Sequence, residues 1–268
     1  MKYLLLPIFC MLLLSCSKDD GDVDHTPLQK VSLTVKSIYK DAGGNITLTN
    51  EYTYDSQKRM KTHKAINKNP QLNAITTYDY ENGKITSIKD YDDPSKPLEK
   101  KIYFYNANGM VKEEEYINNV LKYIIEWYHR SDGGKERRIK NPSGHLFETW
   151  YYRFTSSGNI QRVVLDYTDN ADDDTEYIFS NYDTKKRSEV SYLNAVLPSL
   201  LMQIEGTKLS IQNNPQTFAQ KSLVTGGYLI NSKIEYTYNI KDQVTQMKIF
   251  RAHNNDLVYN ITLEYQDF

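Results

Sequence analysis

Cysteine is nearly absent: the 268 residues hold two, Cys10 and Cys16, both close to the start. Cys10 lies inside an apolar run and Cys16 just beyond it. A chain cut before Cys16 keeps one thiol, and acylation of that thiol leaves no disulfide, thiolate nucleophile or Cys-ligated zinc. Histidine is sparse as well. His25, His63, His129, His145 and His253 contain no pair at metal-ligand spacing, so no metal centre is expected. An excess of either charge is also missing, with 33 Lys plus Arg against 34 Asp plus Glu and a formal charge of -1. That balance gives no bulk attraction to nucleic acid. There is no G-x-S-x-G elbow, no Walker loop and no dinucleotide fingerprint, hence no expected cofactor. After Leu14 no apolar segment is long enough to cross a bilayer as a helix.

What is present begins with an export signal. Lys2 precedes the apolar run Leu4 to Leu14, which is short for a membrane span and the right length for a signal-peptide core. The run closes on Leu13-Leu14-Ser15-Cys16, which resembles the bacterial lipobox, where cleavage precedes an acylated cysteine. The resemblance implies that residues 1–15 are removed and that Cys16 carries the lipid. An ordinary secretory signal with a chance cysteine is the alternative. Ser17-Lys18-Asp19-Asp20-Gly21-Asp22 resembles the surface-export signal of Bacteroidetes lipoproteins, while also suiting a solvated tether. Either way residues 16–28, polar and containing Pro27, form a flexible linker. The expected address is the outer membrane, facing the periplasm or the cell surface.

The chain as a whole is hydrophilic yet rich in rings, with a mean hydropathy of -0.66 but 23 Tyr, so the remaining residues, 29–268, are expected to fold. From Val31 apolar residues recur at every second position, as in half-buried strands. Asp41-Ala42-Gly43-Gly44-Asn45 supplies a tight reversal between two such runs. An aromatic-x-aromatic motif followed by a turn then recurs. It reads Tyr52-Thr53-Tyr54-Asp55, Tyr78-Asp79-Tyr80-Glu81, Tyr103-Phe104-Tyr105-Asn106, Trp127-Tyr128-His129-Arg130, Tyr152-Arg153-Phe154-Thr155 and Tyr177-Ile178-Phe179-Ser180. Tyr54, Tyr80, Tyr105, Tyr128, Phe154 and Phe179 stand 26, 25, 23, 26 and 25 residues apart, an internal repeat of one hairpin per period. The expected fold is all-β: one antiparallel meander of about a dozen strands, strongly twisted or curled into a half-barrel.

Those motifs, with the lipobox, resemble small Bacteroidetes lipoproteins of YD-repeat type, over about Tyr52 to Asp183 and again Lys233 to Phe268. Copies depart from the pattern where Lys58 and Asp242 stand in place of the turn glycine. The resemblance implies fold and location but no chemistry. The segment 194–230 breaks the rhythm. Val196, Leu197, Leu200, Leu201 and Ile204 have helical spacing, which predicts a short helix over 196–205, and Asn213-Asn214-Pro215 with Gly226-Gly227 predicts a long loop over 206–228. The helix would cap a sheet end or act as a lid.

Candidate chemistry is thin. Asp169 to Asp174 and Asp90 to Asp93 lack the ligand alternation of a calcium loop and read as solvated turns. Glu113-Glu114-Glu115 lie on a strand, so at least one faces outward. The aromatic surplus has the widest functional reach: Trp127, Tyr128, Trp150 and Tyr152 come from neighbouring strands and form a candidate ligand platform, with Trp127 and Trp150 side by side. Cross-strand packing explains the same rings without a ligand. The expectation is a non-catalytic binding or structural lipoprotein, held to the membrane through Cys16, with a glycan, a lipid or an envelope protein as ligand and no nucleic acid. The alternative is a glycan-active hydrolase whose carboxylate pair the sequence does not reveal.

Overall fold

The computed structural model describes residues 31–93, 96–107, 109–186 and 213–268. Sixteen strands follow one another in chain order. They are β1 (Ser32–Asp41), β2 (Ile46–Tyr54), β3 (Met60–Asn67), β4 (Ala74–Glu81), β5 (Lys84–Asp93), β6 (Lys96–Asn106), β7 (Gly109–Ile117), β8 (Val120–His129), β9 (Lys135–Lys140), β10 (Leu146–Phe154), β11 (Ile160–Tyr167), β12 (Thr175–Lys186), β13 (Asn213–Ser222), β14 (Tyr228–Tyr238), β15 (Val244–Arg251) and β16 (Leu257–Asp267). Each pairs antiparallel with its neighbours in sequence, and β1 pairs with β16, so the meander closes into a barrel. Closure removes both free edges, which an open sheet would have to protect.

This corrects the expected half-barrel of about a dozen strands. Counting aromatic anchors captured the central hairpins and undercounted the flanks, and no local pattern announces that Ser32 pairs with Asp267. The described residues contain two single 3-10 turns, Pro70–Leu72 and Ala171–Asp173, and no α-helix; the helix expected at 196–205 lies outside the described residues. The long loop expected over 206–228 is in part a strand, β13. Its period-two signal is faint because Phe218 is its one large apolar residue, packed flat against Tyr177 and tilted against Phe179.

The repeat has two physical causes, and the first is a turn. Asp41, Asp55, Asn141, Thr155 and Asn239 each open a reversal in which the side-chain oxygen accepts the main-chain N–H four residues on. The main chain of the same two residues also pairs, from Asp41 to Asn45, Asp55 to Arg59 and so on. The fourth residue takes positive φ. Gly44, Gly144 and Gly158 do so freely, and Lys58 (63°) and Asp242 (59°) adopt the same left-handed backbone where glycine is missing. At Arg130 to Gly134 the same reversal follows His129, so the anchor equivalent to Tyr54 is His129 and not Tyr128.

The second cause is a tyrosine tie. From one even-numbered strand, each hydroxyl donates to a main-chain carbonyl at the start of the preceding strand. Tyr54 bonds Thr34 (2.6 Å), Tyr80 bonds Met60 (2.8 Å), Tyr236 bonds Pro215 (2.9 Å), Tyr265 bonds Val244 (2.8 Å), and Tyr182 bonds Ile160. The rings of Tyr54, Tyr182, Tyr236 and Tyr265 pack on the core, and that of Tyr80 lies under Arg59, while the hydroxyls satisfy carbonyls at the rim where β1 begins. That rim is called near here, and the opposite one far.

Inward rows carry Ile125, Ile139, Val163, Leu165, Phe179, Ile234, Met247, Ile249 and Ile261, all buried. The outer wall is ionic. Lys112 pairs in register with Glu126, which pairs with Arg138 on the next strand. Ion pairs such as Lys140–Glu126 (2.6 Å), Lys89–Asp79 (2.7 Å) and Lys233–Glu235 (2.7 Å) run over it. Each contributes little stability, about 0–1 kcal/mol, but together they give the barrel a water-facing exterior.

Candidate functional site

The barrel is not filled throughout. At the far rim a cavity of about 580 Å³ opens between β6 and β11, lined by Glu99, Lys101, Glu115, Tyr123, Arg137 and Trp150 among others. Strand alternation sets most of this wall: Glu99 and Lys101 lie two apart on β6, and Lys101 pairs in register with Glu115 on β7. Phe147 and Glu148 are adjacent yet both line the cavity. The register shifts between Leu146 and Glu148, a bulge that turns the Phe147 ring edge-on to Tyr123 at 5.8 Å. At the lip His145 meets Asp169 at 2.8 Å.

Below the wall lies a buried polar cluster. Trp127 on β8 pairs in register with Arg137 on β9, and Arg137 pairs with Trp150 on β10. The guanidinium therefore sits between two indoles, 5.9 Å from the Trp127 ring centre and 5.1 Å from that of Trp150. It is 2% exposed. Burying a cation is costly, and the electron-rich ring faces offset part of that cost. Glu113 supplies the opposite charge. A bulge at Val111 shifts the β6–β7 register, so Glu113 points inward, fully buried, and accepts a 2.6 Å hydrogen bond from Trp127 Nε1. Burial pushes its carboxyl pKa up, against the pull of Arg137 and of the Trp127 N–H. Burial likewise raises the hydroxyl of Tyr103, opposite Glu113 in register, with the Glu113 charge adding to the shift.

Four buried side-chain atoms have no hydrogen-bond partner among the described residues, and all belong here: Glu113 Oε2, Arg137 Nε, Trp150 Nε1 and Tyr152 OH. Buried polar atoms are satisfied in the great majority of cases, so four orphans in one cluster are an unusual concentration of uncompensated polarity inside the barrel. No group of three His, Cys, Asp or Glu that could hold a metal occurs among the described residues.

Of the residues singled out from sequence, Trp127, Trp150 and Tyr152 meet inside the barrel, with Trp127 and Trp150 each 5.5–6.3 Å from the Tyr152 ring. They do not form an open platform: all three are buried. Tyr128 faces the other way, on the outer wall, donating to Glu126 at 2.6 Å beneath Arg138. Cys16 lies outside the described residues. Sequence reading placed the two tryptophans side by side because 23 residues nearly match one repeat, but a repeat is two strands, so β9 runs between them. Arg137 was missed for that reason. Its signal was available in Arg137-Arg138-Ile139, where alternation puts Arg137 on the same face as the apolar Ile139. Of the three consecutive glutamates, Glu114 faces outward to Lys112 at 2.6 Å while Glu113 and Glu115 face in.

No protein-family model and no curated protein matches the chain. Solved structures do. A porin-like protein from Bacteroides vulgatus ATCC 8482 superposes with a TM-score of 0.60 at 11% identity, covering 88% of this chain and 99% of the other. A second porin-like protein, from Bacteroides uniformis ATCC 8492, gives 0.58 at 12% identity over 88% and 98%. At such identities the likeness is one of fold: this chain shares an antiparallel barrel architecture with both.

Proposed function

We propose that this protein is a lipid-anchored envelope barrel that holds a small amphipathic ligand in its far-rim cavity and catalyses nothing. The observation that carries the reading is the cavity itself, where flat rings (Tyr123, Phe147, Trp150) stand among acidic and basic side chains. Rings with a few convergent polar groups are what ligand pockets are made of, and the volume falls within the roughly 300–1,000 Å³ of small-ligand sites. The structural neighbours are porin-like proteins, yet a pore is not the reading favoured here. A membrane-spanning barrel presents lipid with an apolar band about 25 Å tall. Here Lys112, Glu126 and Arg138 occupy the middle of one outward row, while most of the fully buried side chains inside are apolar. Membrane attachment would come instead from the acyl group on Cys16, each buried methylene of which contributes about 0.8 kcal/mol.

Two measurements test the reading. Cys16→Ser is expected to move the protein from the membrane to the soluble fraction, and unchanged fractionation overturns the anchor. Trp127 and Trp150 are the chain's two tryptophans, so emission excited selectively from tryptophan, and not from the 23 tyrosines, reports on this site. A screen of glycans and amphiphiles is expected to yield ligands that shift it. Hydrolysis of a glycan by the purified protein would replace the binding reading with an enzymatic one.

A further inference from the structure

Granted the binding reading above, the cavity wall constrains the charge of its occupant, and Glu148 is central to it. On β10 it stands two residues before Trp150, on the same face, and it pairs in register with Ile139 on β9 and with Tyr167 on β11. All of these residues line the cavity. The carboxylate therefore lies in a row with an aliphatic side chain and an aromatic ring, half-buried, with no hydrogen-bond or ion-pair partner among the described residues. The other charges do not neutralise it. Lys101 answers Glu115 at 3.6 Å, His145 answers Asp169 at 2.8 Å at the lip, and Glu99 adds a further carboxylate to the wall. Counted together, Glu99, Glu115, Glu148 and Asp169 outnumber Lys101 and Arg137, and they still do with His145 protonated. We propose that the cavity binds a primary amine carried on a short apolar body, its ammonium group against Glu148 and its body against the rings.

Each part of the wall serves that chemistry. An ammonium donates to the carboxylate that lacks a partner, and the electron-rich rings of Trp150, Tyr123 and Tyr167 attract the same cation. Phe147, edge-on to Tyr123, and Ile139 offer apolar surface to the carbon body. The other classes fit worse. An anion meets an excess of carboxylates. A neutral molecule that displaces water leaves Glu148 desolvated without a counter-charge, a costly outcome for a carboxylate. A bare metal ion needs several converging ligands, and no suitable group of three His, Cys, Asp or Glu occurs among the described residues.

The test uses the purified protein at neutral pH and three probes of one chain length that differ in charge: octylammonium, octanol and octanoate. Affinity is read by calorimetry and occupancy by tryptophan emission. Octylammonium is expected to bind about tenfold tighter than either of the others, and to weaken as salt is added. Glu148→Gln keeps the shape and removes the charge. Its octylammonium affinity should fall about tenfold, the order of one hydrogen bond to a charged group, while octanol binding and the thermal melt stay as in the parent. Lys101→Gln works in the opposite direction: it takes a cation from the wall, so octylammonium should bind severalfold tighter, a gain that a damaged fold cannot mimic. Octanol or octanoate binding as tightly as octylammonium overturns the amine assignment while the binding reading stands. Parental octylammonium affinity in Glu148→Gln, or unchanged or weaker affinity in Lys101→Gln, overturns it likewise. Failure of all three probes also overturns it, and the wider screen of glycans and amphiphiles then decides whether the binding reading falls with it.

Discussion

Arg137→Met is the perturbation that interrogates the barrel interior most directly. Methionine is long enough to lie between the Trp127 and Trp150 rings and its sulfur suits them, so packing is largely kept. The charge is not. Glu113 stays fully buried with one hydrogen bond and loses the larger of the two favourable charges that act on it, Lys101 remaining, and a buried charge left so poorly compensated costs up to about 3–5 kcal/mol. For a domain of this size, at about 2–4 °C per kcal/mol, the melting temperature at neutral pH should fall by roughly 10 °C. The pH dependence gives the sharper signature. The Glu113 pKa is already raised in the folded state, so the folded chain holds its proton where the unfolded chain has released it. Stability linked to Glu113 is therefore highest below the ordinary carboxylate range and declines as pH rises toward the folded pKa. Without Arg137 that folded pKa climbs further, and the decline should deepen and extend to higher pH. Urea melts of the variant should show most of its loss at pH 8 and little near pH 4. Adding Glu113→Gln should recover most of the stability and flatten the pH profile. A single variant that loses less than about 1 kcal/mol, or whose loss is the same at both pH values, would refute the coupling of these two groups.

Other outcomes follow from the turns, the ties and the rings. Gly133 has φ of 78° and open space where a side chain would be, so Gly133→Ala should cost about 1–2 kcal/mol from backbone conformation alone. Gly134→Ala would place Cβ 2.6 Å from the Tyr152 carbonyl oxygen and should cost clearly more, a ranking that paired urea melts will check. Tyr265→Phe removes a hydroxyl tie to Val244 and should lose about 0.5–1.5 kcal/mol by equilibrium denaturation, with no change in far-ultraviolet dichroism. Trp127→Ala deletes a buried indole and leaves Glu113 without its hydrogen bond; a loss of about 3–5 kcal/mol is expected, and a loss below about 1 kcal/mol would contradict its burial.

Outside β13, which reads as a loop, the strands, the turn positions and the hairpin repeat were determined by the sequence alone, because each is local. Inward and outward residues alternate within a few positions, and a reversal needs only an Asp, Asn or Thr followed three residues later by a backbone that tolerates positive φ. Even the departures at Lys58 and Asp242 keep that geometry. Strand number, closure and the contents of the cavity were decided by tertiary structure. Pairing β1 with β16 joins residues at opposite ends of the chain, and its reward, two satisfied edges, exists only once every intervening strand has added its curvature. The Glu113–Arg137–Trp150 cluster depends on bulges as well. Each bulge inserts one residue and exchanges the two faces of the strand beyond it, so it is a shift at Val111, which alternation does not predict, that turns Glu113 and Glu115 inward and Glu114 outward.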